Sequence, residues 1–288
     1  STPLYSSAAS DVYKRQVQEA YNYSVYFLGA NGVDEEEFKA KCLVCHLAKI
    51  ANRDYHSHLG DLVSQKKLAD GLWQLKSGTP LQYVLGEWDF LDSTFAVGPG
   101  VLIPRPETEE LAQLAIEQVK NAGTTPVVWD LCAGSGCIGI SIAKACPGAS
   151  VYCVEKSTDA FAYLQKNAMP VANVRPVLAD ISGDLTSLPK PQVLVSNPPY
   201  IPAAVMPTLQ PEVLKEPMMA LDGGTDGLDF YRLITEKIVP TLASGTQLLL
   251  EIGDEQGRAV QNLFATCENV QVRQDIYGKD RILIATVA

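Results

Sequence analysis

The sequence predicts an α/β protein with a mostly parallel sheet of seven strands, the last of them antiparallel, preceded by a small all-helical N-terminal domain. Three observations support this fold class. From residue 127 onward, strand-like and helix-like segments alternate, which is typical of a parallel sheet covered by helices on both faces. A glycine-rich turn follows the first of these strands. Before residue 78, apolar side chains show only helical spacing.

The N-terminal segment predicts three helices. The first covers residues 12–28, and glycines directly after it mark its end. Asp34 is the expected N-cap of a second helix that extends to about residue 51, because Glu37 stands three positions later as in a capping box. A third helix covers residues 64–76, and a Ser-Gly-Thr-Pro sequence closes it.

Domain boundaries follow from this change of pattern. We expect a helical bundle over 1–79 that recognises the substrate, a hairpin linker over 80–100 and the α/β domain over 101–288. The Ser-rich start, about residues 1–15, is expected to be disordered or extraneous to the fold. Within the linker, a turn at 91–93 joins the two arms of the predicted hairpin. A proline-braced segment then leads into a helix that ends near residue 120.

The alternating part of the chain predicts seven strands and four further helices. The predicted strands are 127–131, 150–155, 174–178, 192–196, 247–252, 270–274 and 281–287. The predicted helices are 138–145, 157–168, 228–240 and 254–265. Only a short connection separates the last two strands, so they are expected to pair antiparallel.

Composition and charge restrict the class of partner. Of the 288 residues, 47% are hydrophobic and 19% are charged, which is ordinary for a globular protein. The formal net charge of −10 makes the chain a poor general binder of nucleic acid, since affinity for phosphates comes from Lys and Arg. We expect a small molecule or a protein surface as partner, and neither direct nucleic-acid binding nor membrane association.

The seven cysteines, an odd number without a recognisable signal peptide, favour reduced thiols and a cytoplasmic location. Cys42 and Cys45 with His46 match a haem c attachment string, and they could also be half of a zinc site. No second Cys-x-x-Cys pair accompanies them, and the surrounding apolar residues have helical spacing. Buried cysteines in a helix are therefore the favoured interpretation, and no metal is expected.

A cofactor site is predicted at the end of the first strand. Residues 130–139 run from a strand through a glycine-rich turn into a helix, and Glu155 follows at the end of the second strand. An acid there suits two ribose hydroxyls. Because residues 134–139 also fit Gly-x-Gly-x-x-Gly, both a nicotinamide cofactor and S-adenosylmethionine remain open. Asp180, at the end of the third strand, favours the second, since a carboxylate there can accept the adenine amino group.

The segment 197–200, Asn-Pro-Pro-Tyr, follows the fourth strand. Its prolines have no N–H group and cannot continue a ladder, so Asn197 stands on a stiff strand end. Its side chain carries a carbonyl acceptor and an amide donor. This arrangement suits a planar –NH₂ group whose face packs against Tyr200.

Further segments make the pattern specific. They are 81–86 (Leu-Gln-Tyr-Val-Leu-Gly), 102–109 (Leu-Ile-Pro-Arg-Pro-Glu-Thr-Glu), 195–201 (Val-Ser-Asn-Pro-Pro-Tyr-Ile), 216–228 with its Ala-Leu-Asp-Gly-Gly core, and 277–281 (Tyr-Gly-Lys-Asp-Arg). Over about residues 17–288 the chain resembles the class I S-adenosylmethionine-dependent methyltransferases. Within them it resembles the peptide chain release factor glutamine methyltransferases, the PrmC/HemK family. The resemblance implies a Rossmann-like seven-stranded sheet.

It further implies methylation of the glutamine amide in the Gly-Gly-Gln loop of translation release factors. An adenine-N6 methyltransferase acting on nucleic acid, with the same Asn-Pro-Pro-Tyr grip on a flipped base, is the alternative. The implied catalytic residues are Asn197, Pro198 and Tyr200. The implied cofactor-binding residues are Cys132, Ala133, Gly134, Ser135, Gly136, Glu155, Asp180, Ile181 and Asn197. The implied substrate-binding residues are Asn197, Pro198, Pro199, Tyr200 and Phe95.

The implied mechanism is one of positioning. Asn197 and the backbone carbonyl of Pro198 accept the two amide hydrogens, Tyr200 lines the flat amide, and Phe95 closes the pocket near the methyl group. Cys132 and Ala133 stand where many members of the family have Gly and Thr, and Glu155 replaces the more usual Asp. None of these changes removes a group that the chemistry needs.

Overall fold

The computed structural model describes residues 13–275 and 277–288, and the chain divides into two compact units. One unit comprises the chain up to Gly86 together with Pro211–Lys215. The other comprises Glu87–Gln210 and Glu216–Ala288. The first division falls inside the predicted linker 80–100, and the hairpin that follows belongs to the second unit.

Helices make up most of the N-terminal unit. Its elements are β1 (Lys14–Gln16), α1 (Val17–Ala30), α2 (Glu36–Ala48), β2 (Leu62–Ser64), α3 (Gln65–Lys76) and α4 (Leu81–Leu85). The three predicted helices therefore exist. In α3 the Ser64 hydroxyl accepts a hydrogen bond from the Lys67 backbone N–H, as an N-cap should. Cys42 and Cys45 are buried in α2, which confirms the interpretation of the Cys-x-x-Cys-His string as part of a helix.

Two details of this unit differ from the sequence-based expectation. A short antiparallel pair, β1 with β2, joins Lys14 to Ser64, although no strand was expected before residue 78. Three-residue strands are too short to produce a recognisable alternation. The N-cap prediction for Asp34 was wrong: Glu35 precedes α2 in a left-handed conformation, with φ of 55°, and makes no side-chain cap. Residues 1–12 of the predicted Ser-rich segment and the first residue of the predicted helix 12–28 lie outside the described residues.

The second unit contains a hairpin and a seven-stranded sheet. Its elements are β3 (Glu87–Phe90), β4 (Ser93–Ala96), α5 (Pro106–Asn121), β5 (Val127–Leu131), α6 (Cys137–Ala145), β6 (Ser150–Glu155), α7 (Thr158–Ala168), β7 (Val174–Leu178), β8 (Val193–Ser196), α8 (Asp229–Leu233), β9 (Gln247–Glu251), α9 (Gly257–Leu263), β10 (Glu268–Gln274) and β11 (Asp280–Thr286). The strand order is β10-β11-β9-β8-β5-β6-β7. β11 runs antiparallel to both of its neighbours, while β9, β8, β5, β6 and β7 pair in parallel, which confirms the predicted fold class.

Apolar layers cover both faces of this sheet. Alternate side chains of one strand enter different layers, as Val128 and Trp129 of β5 do, because successive side chains of a strand point to opposite faces. Buried Leu111 of α5 and Ile140 of α6 belong to one layer. Tyr231 of α8, also fully buried, belongs to the other. The sheet is thus fixed from both sides, and its strand ends are rigid points from which side chains can project.

The predicted helix 228–240 is helical but irregular. α8 is followed by a π-helical turn, Ile234–Ile238, and a 3₁₀ turn, Val239–Thr241. Pro240 lies in that last turn, and its missing N–H and bulky ring prevent a regular α-helix from continuing. The predicted helix 254–265 is shorter than expected, since α9 covers only Gly257–Leu263.

Candidate active site

The site lies at the carboxyl ends of β5, β6, β7 and β8. The chain places β6 and β7 on one side of β5 and then returns to place β8 on the other. Loops leaving β5 and β8 therefore diverge, and such a switch point in strand order leaves a crevice that binds ligands. The cleft here encloses about 1000 Å³, part of it open to solvent.

The glycine-rich turn between β5 and α6 has three residues in the left-handed region. The φ angles of Cys132, Gly134 and Gly136 are 58°, 55° and 81°. Glycine adopts such angles without strain, whereas a side chain at Cys132 is strained there. The turn places Cys132, Ala133, Gly134 and Ser135 along the edge of the cleft.

Asp130 anchors the start of α6 from inside the sheet. Its Oδ2 accepts a hydrogen bond from the Gly139 backbone N–H at 2.8 Å. A Cβ on Gly139 would lie 2.5 Å from the Cys153 sulfur, so only glycine allows this close approach of helix to strand. Burial raises the pKa of Asp130 to about 7. Asp130 does not line the cleft; it supports the turn that does.

Glu155, at the end of β6, holds the turn as well as lining the cleft. Its Oε2 accepts from the Gly134 backbone N–H at 2.8 Å, and its Oε1 accepts from the Ser157 backbone N–H at 2.7 Å. Each carboxylate oxygen has a second lone pair, so the group can still accept hydrogen bonds from a ligand. Glu155 thus links the glycine-rich turn after β5 to the start of α7.

Asp180 follows β7 and also lines the cleft. Lys156 Nζ lies 2.8 Å from its Oδ2, and the Ser182 backbone N–H donates to its Oδ1 at 2.9 Å. The hydrogen bond from Lys156 is the main cause of the lowered pKa of Asp180, which is about 2. The carboxylate is consequently ionised at neutral pH and can only accept hydrogen bonds.

Asn197 stands at the end of β8, half-buried and facing the cleft. The Ser196 hydroxyl before it donates to the Leu131 carbonyl at 2.7 Å and ties this strand end to β5. Asn197 Nδ2 donates to Thr108 Oγ1 at 3.2 Å. Among the hydrogen bonds of the described residues, none involves Asn197 Oδ1. The side-chain oxygen is therefore the end of this amide that remains available to a ligand.

Two residues that the sequence analysis missed complete this arrangement. Thr108, in the first turn of α5, donates to Glu251 Oε2 at 2.7 Å, and Glu251 is the last residue of β9. The Tyr200 hydroxyl lies 3.4 Å from Glu251 Oε1. Burial raises the pKa of Glu251 to about 7. An acid that ends an apolar Leu-Leu-Leu run is the same kind of sequence signal that identified Glu155.

The segment with two adjacent glycines supports the backbone of residues 197–200. Gly223 N–H donates to the Ile201 carbonyl at 2.9 Å, and Gln256 Nε2 donates to the Tyr200 carbonyl at 2.9 Å. A Cβ on Gly223 would lie 2.7 Å from Tyr200 Cα and 2.9 Å from the Pro199 carbonyl oxygen. Backbone thus packs directly on backbone here, which explains why the glycines stand at this place in the sequence.

Substituting Gly223 by alanine is expected to displace the Asn-Pro-Pro-Tyr segment. Because both obstructing atoms belong to backbone, the clash cannot be relieved by a rotamer change. We expect the free energy of unfolding to fall by about 1–3 kcal/mol, and kcat to fall with it. Urea unfolding and steady-state kinetics measure the two effects. Gly60→Ala, where a Cβ meets no atom within 4 Å, is the control; equal behaviour of the two variants would contradict the proposed support.

Most of the predicted site residues line one cleft. These are Cys132, Ala133, Gly134, Ser135, Glu155, Asp180, Ile181, Asn197 and Pro199. Gly136 lies behind them as the N-cap of α6. Apolar lining comes from residues that the sequence analysis did not assign, among them Leu102, Pro104, Ile138, Met219 and Phe230. Acidic and amide side chains are thus combined with apolar walls in one cleft.

Phe95 and Tyr200 are placed differently from the prediction. Phe95 is 2% exposed and packs edge-to-face on Phe90 within the core, with ring centroids 6.2 Å apart, so it does not close the cleft. Strand alternation in β4 turns its ring inward. Tyr200 and Pro198 are not among the lining residues. The Tyr200 hydroxyl points to Glu251 instead, and burial raises its pKa.

Other features concern metals, thiols and membranes. All seven cysteines lie in the described residues and are free thiols. Within residues 13–275 and 277–288, no group of three or more His, Cys, Asp or Glu side chains is arranged to hold a metal ion. In the same residues, no helix is long and apolar enough to cross a membrane.

Comparison with known proteins identifies close relatives. Residues 19–86 match the family described as PrmC N-terminal domain, and residues 99–224 match the methyltransferase small domain. The release factor glutamine methyltransferase of Moorella thermoacetica is 35% identical over 93% of this chain and 98% of its own length. That of Thermodesulfovibrio yellowstonii is 35% identical over 85% and 91%. A solved 16S rRNA N2 G1207 methyltransferase from T. thermophilus, at 19% identity, shares the fold with a TM-score of 0.50 over 70% of this chain and 50% of that one.

Proposed function

Because this chain belongs to the release factor glutamine methyltransferases, we propose that Asn197 and the adjoining backbone hold the acceptor amide of a release factor glutamine. The chain is an S-adenosylmethionine-dependent methyltransferase, and its product is N5-methylglutamine. One observation supports the site assignment above others. The Asn197 amide nitrogen is already engaged by Thr108, which leaves Oδ1 to accept a hydrogen bond from the substrate.

The residues of the cleft fit S-adenosylmethionine. Glu155 has lone pairs for two ribose hydroxyls, and Asp180, held ionised by Lys156, can accept the adenine amino group. Ile138 and Ile181 supply apolar walls suited to the faces of a purine. When bound, the cofactor would supply an electrophilic methyl group on a sulfonium, and the acceptor nitrogen would exchange one N–H proton, released to solvent, for that methyl group.

The residues of the chain act on the acceptor amide by orienting it. We assign its two N–H hydrogens to Asn197 Oδ1, which faces the cleft, and to the carbonyl of Pro198, the next residue of the same strand end although not itself a lining residue. Two such acceptors hold the nitrogen in one direction. An amide nitrogen is a weak nucleophile, so orientation must supply much of the acceleration, and up to about 7–11 kcal/mol is available from this source. The rigid, N–H-free prolines keep both acceptors in place. This role for Asn197 and Pro198 is our proposal for the reacting centre.

The N-terminal unit and the net charge of the chain both support a protein as the binding partner. We assign recognition of the release factor to the helical unit, since the catalytic groups described above all lie in the other. The Gly-Gly-Gln loop of that partner delivers the glutamine. A net charge of −10 supports a protein partner over nucleic acid. Seven free thiols support a cytoplasmic location.

Methyl-group labelling tests the substrate class. The protein is incubated with methyl-labelled S-adenosylmethionine and, in separate reactions, a release factor, the same factor with the Gly-Gly-Gln glutamine replaced by alanine, and DNA. We expect label in the unmodified release factor alone. Equal label in the alanine-substituted factor would show that the methyl acceptor is not that glutamine. Label in DNA would favour an adenine methyltransferase.

A further inference from the structure

We propose that Thr108 and Glu251 are positioning residues that determine which end of the Asn197 amide faces the substrate. This inference rests on the proposed function and assigns a task to two side chains outside the Asn-Pro-Pro-Tyr segment. The hydrogen bonds form one chain, from Asn197 Nδ2 to Thr108 Oγ1 at 3.2 Å and from the Thr108 hydroxyl to Glu251 Oε2 at 2.7 Å. Thr108 is 2% exposed and Glu251 is 1% exposed, so the hydrogen bond between these two side chains is shielded from water.

The polarity of this chain follows from what each group can donate. An ionised carboxylate accepts only, so the single hydrogen of the Thr108 hydroxyl must be donated to Glu251. The hydroxyl then has only lone pairs to offer Asn197. The amide end that meets Thr108 is therefore the –NH₂ group, and the oxygen is directed to the substrate side.

If the hydrogen bonds ran in the opposite direction, Asn197 would present its nitrogen instead of its oxygen to the substrate. Suppose that the group at position 251 donated a hydrogen to the Thr108 hydroxyl oxygen. The Thr108 hydroxyl could then donate its own hydrogen to Asn197, and the Asn197 amide would turn its oxygen toward Thr108 to accept it. The –NH₂ group of Asn197 would then face the –NH₂ group of the substrate glutamine, donor against donor. Both ends of an asparagine amide have nearly the same shape, so packing alone does not distinguish them. The carboxylate supplies the asymmetry.

Ionisation of Glu251 should consequently be visible in the pH dependence of kcat. Several titratable or charged groups face Glu251 from the elements packed around it, namely Glu107, Cys137, Tyr200, Tyr231 and Arg281. Burial raises the Glu251 pKa most, while the Thr108 hydrogen bond and the Arg281 charge lower it, to a value of about 7. Because the ionised form of Glu251 sets the direction of these hydrogen bonds, kcat should rise from about pH 6 to about pH 8.

Substitutions at Thr108 separate its hydroxyl from its bulk. Thr108→Val keeps the shape and removes the acceptor for Asn197, and we expect kcat to fall by about 10- to 100-fold, as misplacement of a positioning group does. Thr108→Ser keeps the hydroxyl and should retain most of the wild-type kcat. Cofactor affinity, measured by calorimetry, should be nearly unchanged in both. A serine variant as slow as the valine variant, or parallel loss of cofactor affinity, would reduce Thr108 to a packing residue and overturn the proposal.

Glu251→Gln tests the carboxylate. Glutamine has the same shape but does not ionise, so the rise of kcat around pH 7 should disappear. Glu117→Gln, an exposed acid of the same helix as Thr108 with no described side-chain contact, is the matched control and should keep the wild-type profile. A wild-type pH profile in Glu251→Gln would overturn the proposal.

A measurement without substrate distinguishes this proposal from the function on which it rests. Exchange of the Asn197 side-chain –NH₂ hydrogens with solvent can be followed by NMR in the whole protein. We expect slow exchange in wild type and Glu117→Gln, and faster exchange in Thr108→Val. Equal exchange in all three proteins would overturn the positioning role whether or not a release factor is methylated. Slow wild-type exchange without methylation of a release factor would refute only the proposed substrate.

Discussion

Replacing Asn197 by alanine should lower kcat by at least about 10²–10³-fold, the loss seen when a single transition-state hydrogen-bonding group is removed. As the amide nitrogen begins to bond to the methyl group, its lone pair leaves conjugation with the carbonyl and its N–H groups become more positive. Hydrogen bonds accepted by Asn197 Oδ1 and the Pro198 carbonyl therefore strengthen toward the transition state. Interactions of that kind raise kcat and not merely substrate affinity.

Cofactor affinity should be nearly unchanged in the same variant. The groups assigned to the ribose and the adenine, Glu155 and Asp180, follow other strands and make no described hydrogen bond with Asn197. Single-turnover kinetics with a release factor measures the rate, and calorimetry measures the affinity. Asn262→Ala, an exposed asparagine in α9, is the matched control and should react like wild type. Wild-type turnover by Asn197→Ala would remove Asn197 from the reacting centre.

The sheet was predictable because each of its first strands carries a local signal. The bounds of β5, β6 and β7 agree with the predicted 127–131, 150–155 and 174–178. Each is a short run with β-branched residues, followed by a turn or a polar residue. Parallel order then brings the three strand ends, and the residues that follow them, to one edge of the sheet. The meeting of these residues at one edge of the sheet was therefore accessible from sequence order alone.

The support around the site was not predictable in the same way. Thr108 and Glu251 are 143 positions apart and meet only because α5 packs near the end of β9. Gly223 supports Tyr200 through backbone contact, which leaves no pattern in side-chain chemistry. Phe95 shows the opposite error: an aromatic residue near the predicted site was assigned to it, but the register of a four-residue hairpin turns the ring into the core. Alternation in so short a strand does not reveal which face is inside.

Glu155→Ala should weaken cofactor binding by about 10- to 100-fold. A hydrogen bond to a charged group contributes about 1.5–3 kcal/mol, and each 1.4 kcal/mol corresponds to about tenfold in affinity. The loss has two sources. Ribose hydroxyls lose their acceptor, and the Gly134 and Ser157 backbone N–H groups lose the carboxylate that holds the turn against α7. Loss of these two backbone hydrogen bonds would loosen the glycine-rich turn, so the cleft would change shape even where Glu155 does not touch the ligand.

Calorimetric titration with S-adenosylmethionine measures this affinity, and a conservative variant grades the loss. Glu155→Gln keeps one carbonyl oxygen as an acceptor and should lie between wild type and Glu155→Ala. Glu255→Ala, an exposed acid just after β9 with no described side-chain contact, should bind like wild type. Unchanged affinity in Glu155→Ala would refute the ribose role. Glutamine and alanine variants of equal affinity would show that the single neutral acceptor kept in Glu155→Gln does not contribute to cofactor binding.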